Sequence, residues 1–109
     1  MTELEKLAAG LPYRYDDPEL VAMKDTASLR CHVLNSVDPL DAAGREAAAR
    51  ELFGQAGPEL DVQPGFHCDN GKNITVGKRF TANFNVTILD GAPVTFGDCC
   101  MVGPNTLIA

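Results

Sequence analysis

From Asn73 to Ala109 apolar side chains return every six positions. That spacing fits neither the 3.6-residue turn of a helix nor the two-residue alternation of a half-buried strand. Val76, Ala82, Ile88 and Val94 mark one run, and after a two-residue slip the count resumes at Phe96, Val102 and Ile108. A period of six predicts a parallel β-helix, in which each short strand buries one side chain and the chain then turns a corner. A small inward residue is expected two places before each marked one; Ala92, Cys100 and Thr106 fit, whereas Phe80 and Val86 do not. Gly71, Asn73, Gly77, Asn83, Asn85, Gly91, Gly97 and Gly103 supply corners that need positive φ. The competing expectation is an ordinary antiparallel domain with glycine turns.

Upstream the pattern is helical. Thr2 to Ala9 predicts a short helix stopped by Gly10. Asp17-Pro18-Glu19 opens a second, since Asp caps the free amides, Pro suits the first turn and Glu the positive end of the dipole. Its inward stripe is Leu20, Met23, Ala27, Cys31 and Leu34, and it ends at Asn35. Asp38-Pro39 repeats the start signal for a third helix to about Phe53, with Leu40, Ala43, Ala47 and Leu52 inward and Arg45, Glu46, Arg50 and Glu51 on a solvated face. Between the first two helices, LPYRYDD puts Tyr13, Arg14 and Tyr15 together, either to line a ligand pocket or to pack the helix ends. From Gln55 to Gly65 the composition shifts to Gly, Pro and polar residues, which sets the expected division at residues 1–56 and 57–109. Counted from Pro64, the repeat amounts to two and a half coils.

Composition removes several functions. The net charge of −6 without a Lys/Arg cluster argues against nucleic acid or an anionic membrane surface as partner. No apolar run approaches the ~20 residues of a membrane span, and the first ten residues lack the order of a secretory signal, so a cytoplasmic location is expected. Cys31, Cys68, Cys99 and Cys100 have no zinc-type spacing, so no metal is expected. Cys68 and Cys100 are expected as small buried groups, and Cys99 and Cys100 on opposite faces of a strand.

Three stretches, GLPYRYDDPELVAMK, FHCDNGKNITVGKRFTANFN and LDGAPVTFGDCCMVGPNTLIA, resemble the maltose and galactoside O-acetyltransferases of the hexapeptide-repeat superfamily. The resemblance covers nearly the whole chain. It implies an α+β fold: an N-terminal helical domain followed by the first coils of a left-handed parallel β-helix, assembled as a homotrimer with active sites between subunits. It further implies acetyl-CoA as donor and a glucoside, galactoside or maltose-type sugar as acceptor. By that likeness Asn83, first Asn of ANFN, helps orient acceptor and catalytic base, and Asp69 of CDNG accepts hydrogen bonds from sugar hydroxyls. Asp16, Asp17 and Lys24 fall near further acceptor contacts, with Tyr13 beside them.

The chemistry accounts for those residue types. A sugar hydroxyl is a poor nucleophile at neutral pH, so transfer from a thioester needs a general base and donors for the developing oxyanion. A buried carboxylate selects a polyol by accepting its hydroxyl protons. For Asp69 the alternative is an Asx bond that stabilises the turn Cys68-Asp69-Asn70-Gly71. The family's catalytic His lies in a His-Pro context shortly after the segment matching GPNTLIA, and neither His32 nor His67 matches it. The expectation is therefore an N-terminal portion carrying acceptor-side residues but not the base. The alternative is a non-catalytic sugar-binding or trimer-assembly module.

Overall fold

The computed structural model describes all 109 residues, Met1–Ala109. Three helices, α1 (Glu3–Ala8), α2 (Pro18–Asn35) and α3 (Ala42–Leu52), precede nine short parallel strands. These are β1 (Gln55–Ala56), β2 (Asp61–Val62), β3 (His67–Cys68), β4 (Ile74–Val76), β5 (Thr81–Ala82), β6 (Thr87–Ile88), β7 (Val94–Phe96), β8 (Met101–Val102) and β9 (Leu107–Ile108). They stack as β1-β4-β7, β2-β5-β8 and β3-β6-β9, so each coil sends one strand to each of three sheets. The result is a three-sided parallel β-helix of three coils, not an antiparallel domain.

Register explains the slip in the repeat. Ala56 pairs with Val76 and Val76 with Phe96, Val62 with Ala82 and then Val102, Cys68 with Ile88 and then Ile108, always twenty residues apart. Two corners of each coil follow the period of six, and the third corner carries two extra residues. Val94 therefore does not continue the count: it pairs with Ile74 at the head of its strand. The coils also begin earlier than Pro64. β1 lies on the leader side of the 56/57 division, and Pro64 occupies a corner.

The expectation of a small inward residue two places before each marked one fails in the middle coil. Ile74, Phe80 and Val86 are as buried as Val76, Ala82 and Ile88. The size of the inward residue varies from coil to coil: Phe80 stands beside Ala82, while Leu60 stands beside Val62 and Cys100 beside Val102. Phe80 contacts Phe53 at 6.4 Å and Phe96 at 5.0 Å between ring centroids, and Phe53 meets Phe66 edge-on at 5.5 Å. These rings join the helices to the coils.

Two corner columns use left-handed backbone. Glu59, Arg79 and Cys99 have φ of 62°, 58° and 59°, and Gly65, Asn85 and Asn105 have 89°, 58° and 59°. This conformation turns the amide along the stack. Arg79 N–H donates to Pro58 O and Cys99 N–H to Lys78 O, both at 2.8 Å. Cys99 is thus an exposed corner residue rather than part of a strand, and Cys100 behind it faces the core. Gly77 is needed for another reason: a Cβ there would stand 2.2 Å from Asp98 Oδ1 of the next coil.

Thr2 caps α1 with a reciprocal bond to Glu5, and Asp17 caps α2 as expected. Leu20, Ala27, Cys31 and Leu34 are buried, with Met23 half-buried. The third helix departs from expectation. Asp38 accepts from Leu40 N–H at 2.8 Å and closes a turn, and Asp41, accepting from Gly44 N–H at 2.9 Å, is the cap. The later start changes the packed face: Leu40 is 94% exposed, Ala43 and Ala47 are exposed, and Arg45, Ala49 and Leu52 are buried. Arg45 is therefore not solvated. Its guanidinium donates to Pro39 O and pairs with Asp61 at 3.5 Å, and its Nε has no partner. α3 packs on α2 and β2, α2 on β3, and α1 on α2.

Candidate functional site

The third, longer corner is where the helices meet the coils. Between β3 and β4 the chain runs Asp69-Asn70-Gly71-Lys72-Asn73, and one coil later Leu89-Asp90-Gly91 lies over it. Asp90 is fully buried, and its carboxylate accepts three amides: Asp69 N–H at 3.2 Å and Asn70 N–H at 2.9 Å on Oδ1, and Gly71 N–H at 2.7 Å on Oδ2. Asn73 Nδ2 donates back to Asp90 O at 2.9 Å. Gly71 sits at φ +82°, where a Cβ would meet Leu52 at 2.6 Å. Burial pushes the Asp90 carboxyl above the usual carboxylate range, and the amides of Asn70 and Gly71 pull it part of the way back.

Asp69 is freed by this arrangement. The turn-stabilising carboxylate is Asp90, not Asp69, whose half-buried carboxylate accepts no hydrogen bond from the chain. A groove of about 230 Å³ opens between Leu4, Glu5 and Ala8 of α1, Met23 of α2, and Asn70, Asn73 and Gly91 of the corner; Asp69 precedes the lining residue Asn70 and does not itself line it. α1 can lie this close because residue 91 is glycine: a Cβ would stand 2.7 Å from Leu7 Cδ1. The corner thus carries one free carboxylate, on the residue before Asn70, which lines a groove walled by the leader.

The other expected site residues are placed as follows. Lys24 follows Met23 on α2, half-buried and without a hydrogen bond. Asp16 and Asp17 share Arg14, at 3.3 Å and 3.6 Å, and Arg14 N–H donates to Glu3 Oε1, which fastens the loop to α1. The second carboxylate oxygen of Asp17 caps α2, accepting Glu19 N–H at 3.2 Å and Leu20 N–H at 3.4 Å. Tyr13 is 39% and Tyr15 77% exposed, so Tyr15 does not pack the helix ends. Asn83 lies at the corner between β5 and β6, half-buried, with Oδ1 accepting from Phe84 N–H at 2.8 Å and Nδ2 free. That corner is a different edge of the three-sided coil from the one bearing Asp69, so one chain does not bring Asn83 and Asp69 together. His32 and His67 are both exposed.

Sequence reasoning missed Asp90 and Arg45. A signal for Asp90 existed in the coil length, since residue 90 is twenty places beyond residue 70 and so stacks on the CDNG turn. No comparable signal marked Arg45.

A helical cap on a hexapeptide-repeat solenoid, with a carboxylate corner between them, defines a class that the comparisons make specific. The maltose acetyltransferase hexapeptide capping motif matches residues 6–57. Nodulation protein L of Rhizobium meliloti is 40% identical over 103 residues, 94% of this chain and 56% of that protein. Among solved structures, a maltose O-acetyltransferase from Clostridium difficile 630 superposes with a TM-score of 0.94 at 34% identity, over 98% of this chain and 57% of that one. A hexapeptide-repeat acetyltransferase from Vibrio cholerae, complexed with acetyl coenzyme A, superposes at 0.82 with 42% identity over 98% and 57%. Over nearly its whole length the chain is similar to the N-terminal portion of maltose and galactoside O-acetyltransferases. It spans about half the length of these relatives.

Proposed function

We propose that these residues form the acceptor side of a sugar O-acetyltransferase that moves the acetyl group of acetyl-CoA to a sugar hydroxyl. The observation that carries this reading is the free Asp69 carboxylate, one residue before the groove-lining Asn70, in a chain similar to these acetyltransferases. Asp69 accepts hydrogen bonds from acceptor hydroxyls, and Asp90 fixes the corner that aims it. Asn83, through its free Nδ2, orients the acceptor and the base. Tyr13, Lys24 and the carboxylate of Asp16 supply the outer contacts, while Asp17 combines any such contact with its capping role. The sugar hydroxyl attacks the thioester carbonyl, the base takes its proton, and coenzyme A leaves as the thiol. The base in this reading is the histidine that the family places in a His-Pro context, since neither exposed histidine here lines the groove.

In the same reading the coil is left-handed, as the likeness to hexapeptide-repeat acetyltransferases implies. The unit divides into a leader of residues 1–56 and a solenoid of 57–109, with β1 as the shared seam, and the setting is the cytoplasm. Because Asn83 and Asp69 lie on different edges, the complete pocket is shared between neighbouring subunits of a homotrimer.

The test is thiol release from acetyl-CoA by the protein of the full reading frame, with maltose, glucosides and galactosides as acceptors. Acceptor-dependent release is expected, and Asp69→Asn should lower kcat/KM for the sugar about tenfold or more, the loss of one charged hydrogen bond, without shifting Tm. Sugar binding or trimer formation with no thiol release would overturn the enzymatic reading in favour of a binding or assembly module.

A further inference from the structure

Cys31 on α2 and Cys68 at the end of β3 are 37 residues apart in sequence, yet their sulfurs stand 3.7 Å apart. Cys31 is buried and Cys68 half-buried, and the other two thiols lie elsewhere, on the corner before β8. The pair bridges the two structural units: α2 packs on β3, and Asp69 follows Cys68 directly. No group of three or more His, Cys, Asp or Glu side chains converges here that would hold a metal ion. At 3.7 Å the two sulfurs are within about 2 Å of the ~2.05 Å length of a disulfide. The sequence reading of Cys68 as an inert packing group leaves this contact unexplained.

We propose that Cys31 and Cys68 form a redox modification site, oxidised by a hydroperoxide to a disulfide that staples the leader helix to the first coil. Cys68 is the more exposed sulfur and meets the oxidant. Its sulfur attacks the terminal peroxide oxygen, the O–O bond breaks, and the alcohol, or water from hydrogen peroxide, leaves with the thiol proton. Cys68 is then a sulfenic acid. The Cys31 sulfur attacks the Cys68 sulfur, the S–O bond breaks, and hydroxide departs with the Cys31 proton as water. Two thiols and one hydroperoxide give one disulfide, one alcohol and one water; the sulfurs are oxidised and the peroxide is reduced. The step is slow at neutral pH, because the contact with Cys31, burial, and the carboxylates of Asp90 and Asp69 push the Cys68 thiol up. The rate therefore rises with pH. Exposed Cys99 reacts faster with any alkylating reagent, while its sequence neighbour Cys100 packs against the core.

The experiment treats the native protein with hydrogen peroxide, blocks free thiols with N-ethylmaleimide, and maps the unreduced digest by mass spectrometry. The expected product is a linked pair of peptides carrying Cys31 and Cys68, two hydrogens lighter than their sum. It should be absent from Cys68→Ser and retained in Cys99→Ser. The linked protein should unfold at a higher denaturant concentration than the reduced one, and a reductant should reverse the shift. Mapping the unmutated protein answers the question even where a Cys31 variant folds poorly. Oxidation confined to Cys99, over-oxidation of Cys68 with Cys31 still free, or equal linkage in denatured chain would each overturn the proposal. None of these outcomes bears on whether the protein acetylates sugars.

Discussion

α2 runs for 18 residues on its own i to i−4 hydrogen bonds and a cap from Asp17, whereas no strand of the coils exceeds three residues. Those strands have no local hydrogen bonds to form. Asp61 N–H donates to Phe80 O in the coil above, and Thr81 N–H donates to Cys100 O in the next. The leader is built from local interactions and the coils from contacts twenty residues away. A change in a helix should therefore act at its own site, while a change in a coil should loosen the layers on either side.

The largest test of that contrast is Phe80→Ala. Phe80 is fully buried between Phe53 and Phe96, and its loss should cost about 3–5 kcal/mol in denaturant unfolding. Leu40→Ala, equally apolar but exposed in the leader, should stay within about 0.5 kcal/mol. Equal effects would break the comparison. Next comes Asp90→Ala, which leaves three corner amides without their acceptor and should cost about 3 kcal/mol. Hydrogen exchange should then speed up at Asp69 to Gly71 while the amides of α2 stay protected.

Gly77→Ala should cost about 1–3 kcal/mol through overpacking against Asp98, and Gly103→Ala, whose nearest neighbour is Thr106 Oγ1 at 4.0 Å, much less. Both glycines sit in the repeat, so the pair separates coil packing from glycine content. The smallest expected effect is in the leader: Asp17→Ala removes a cap and should cost about 1 kcal/mol, read as fraying of the first turn of α2 with the coils unchanged.

The same contrast decided what could be read from sequence. α2 was legible to its ends because Asp17-Pro18-Glu19 and one apolar stripe are local signals. α3 was not, for two reasons. Start signals at Asp38 and Asp41 compete three residues apart, and a helix of Ala42, Ala43, Ala47, Ala48 and Ala49 offers little contrast between faces. The burial of Arg45 depends on Pro39 O and Asp61, which no periodicity reveals. In the coils the period of six was visible from Val76 onward, but the first coil, with Ala56, Val62 and Cys68 at its marked positions, hid among Gly, Pro and polar residues. Asp69 and Asn83 came from family likeness, and Asp90, the residue that sets the corner, required the stack.

In the proposed reading the acceptor pocket joins the Asp69 corner of one chain to the Asn83 corner of another, since one chain holds them on different edges. Its most direct test is complementation in the protein of the full reading frame. Asp69→Asn and Asn83→Ala proteins should each release little thiol from acetyl-CoA with sugar acceptors while keeping the parent Tm. Unfolded together and reassembled in equal amounts, they should recover about a quarter of the parent activity, because in a cyclic trimer one interface in four then receives both intact residues. Recovery no greater than the average of the two separate variants, with parent protein reassembling fully under the same conditions, would contradict the shared pocket.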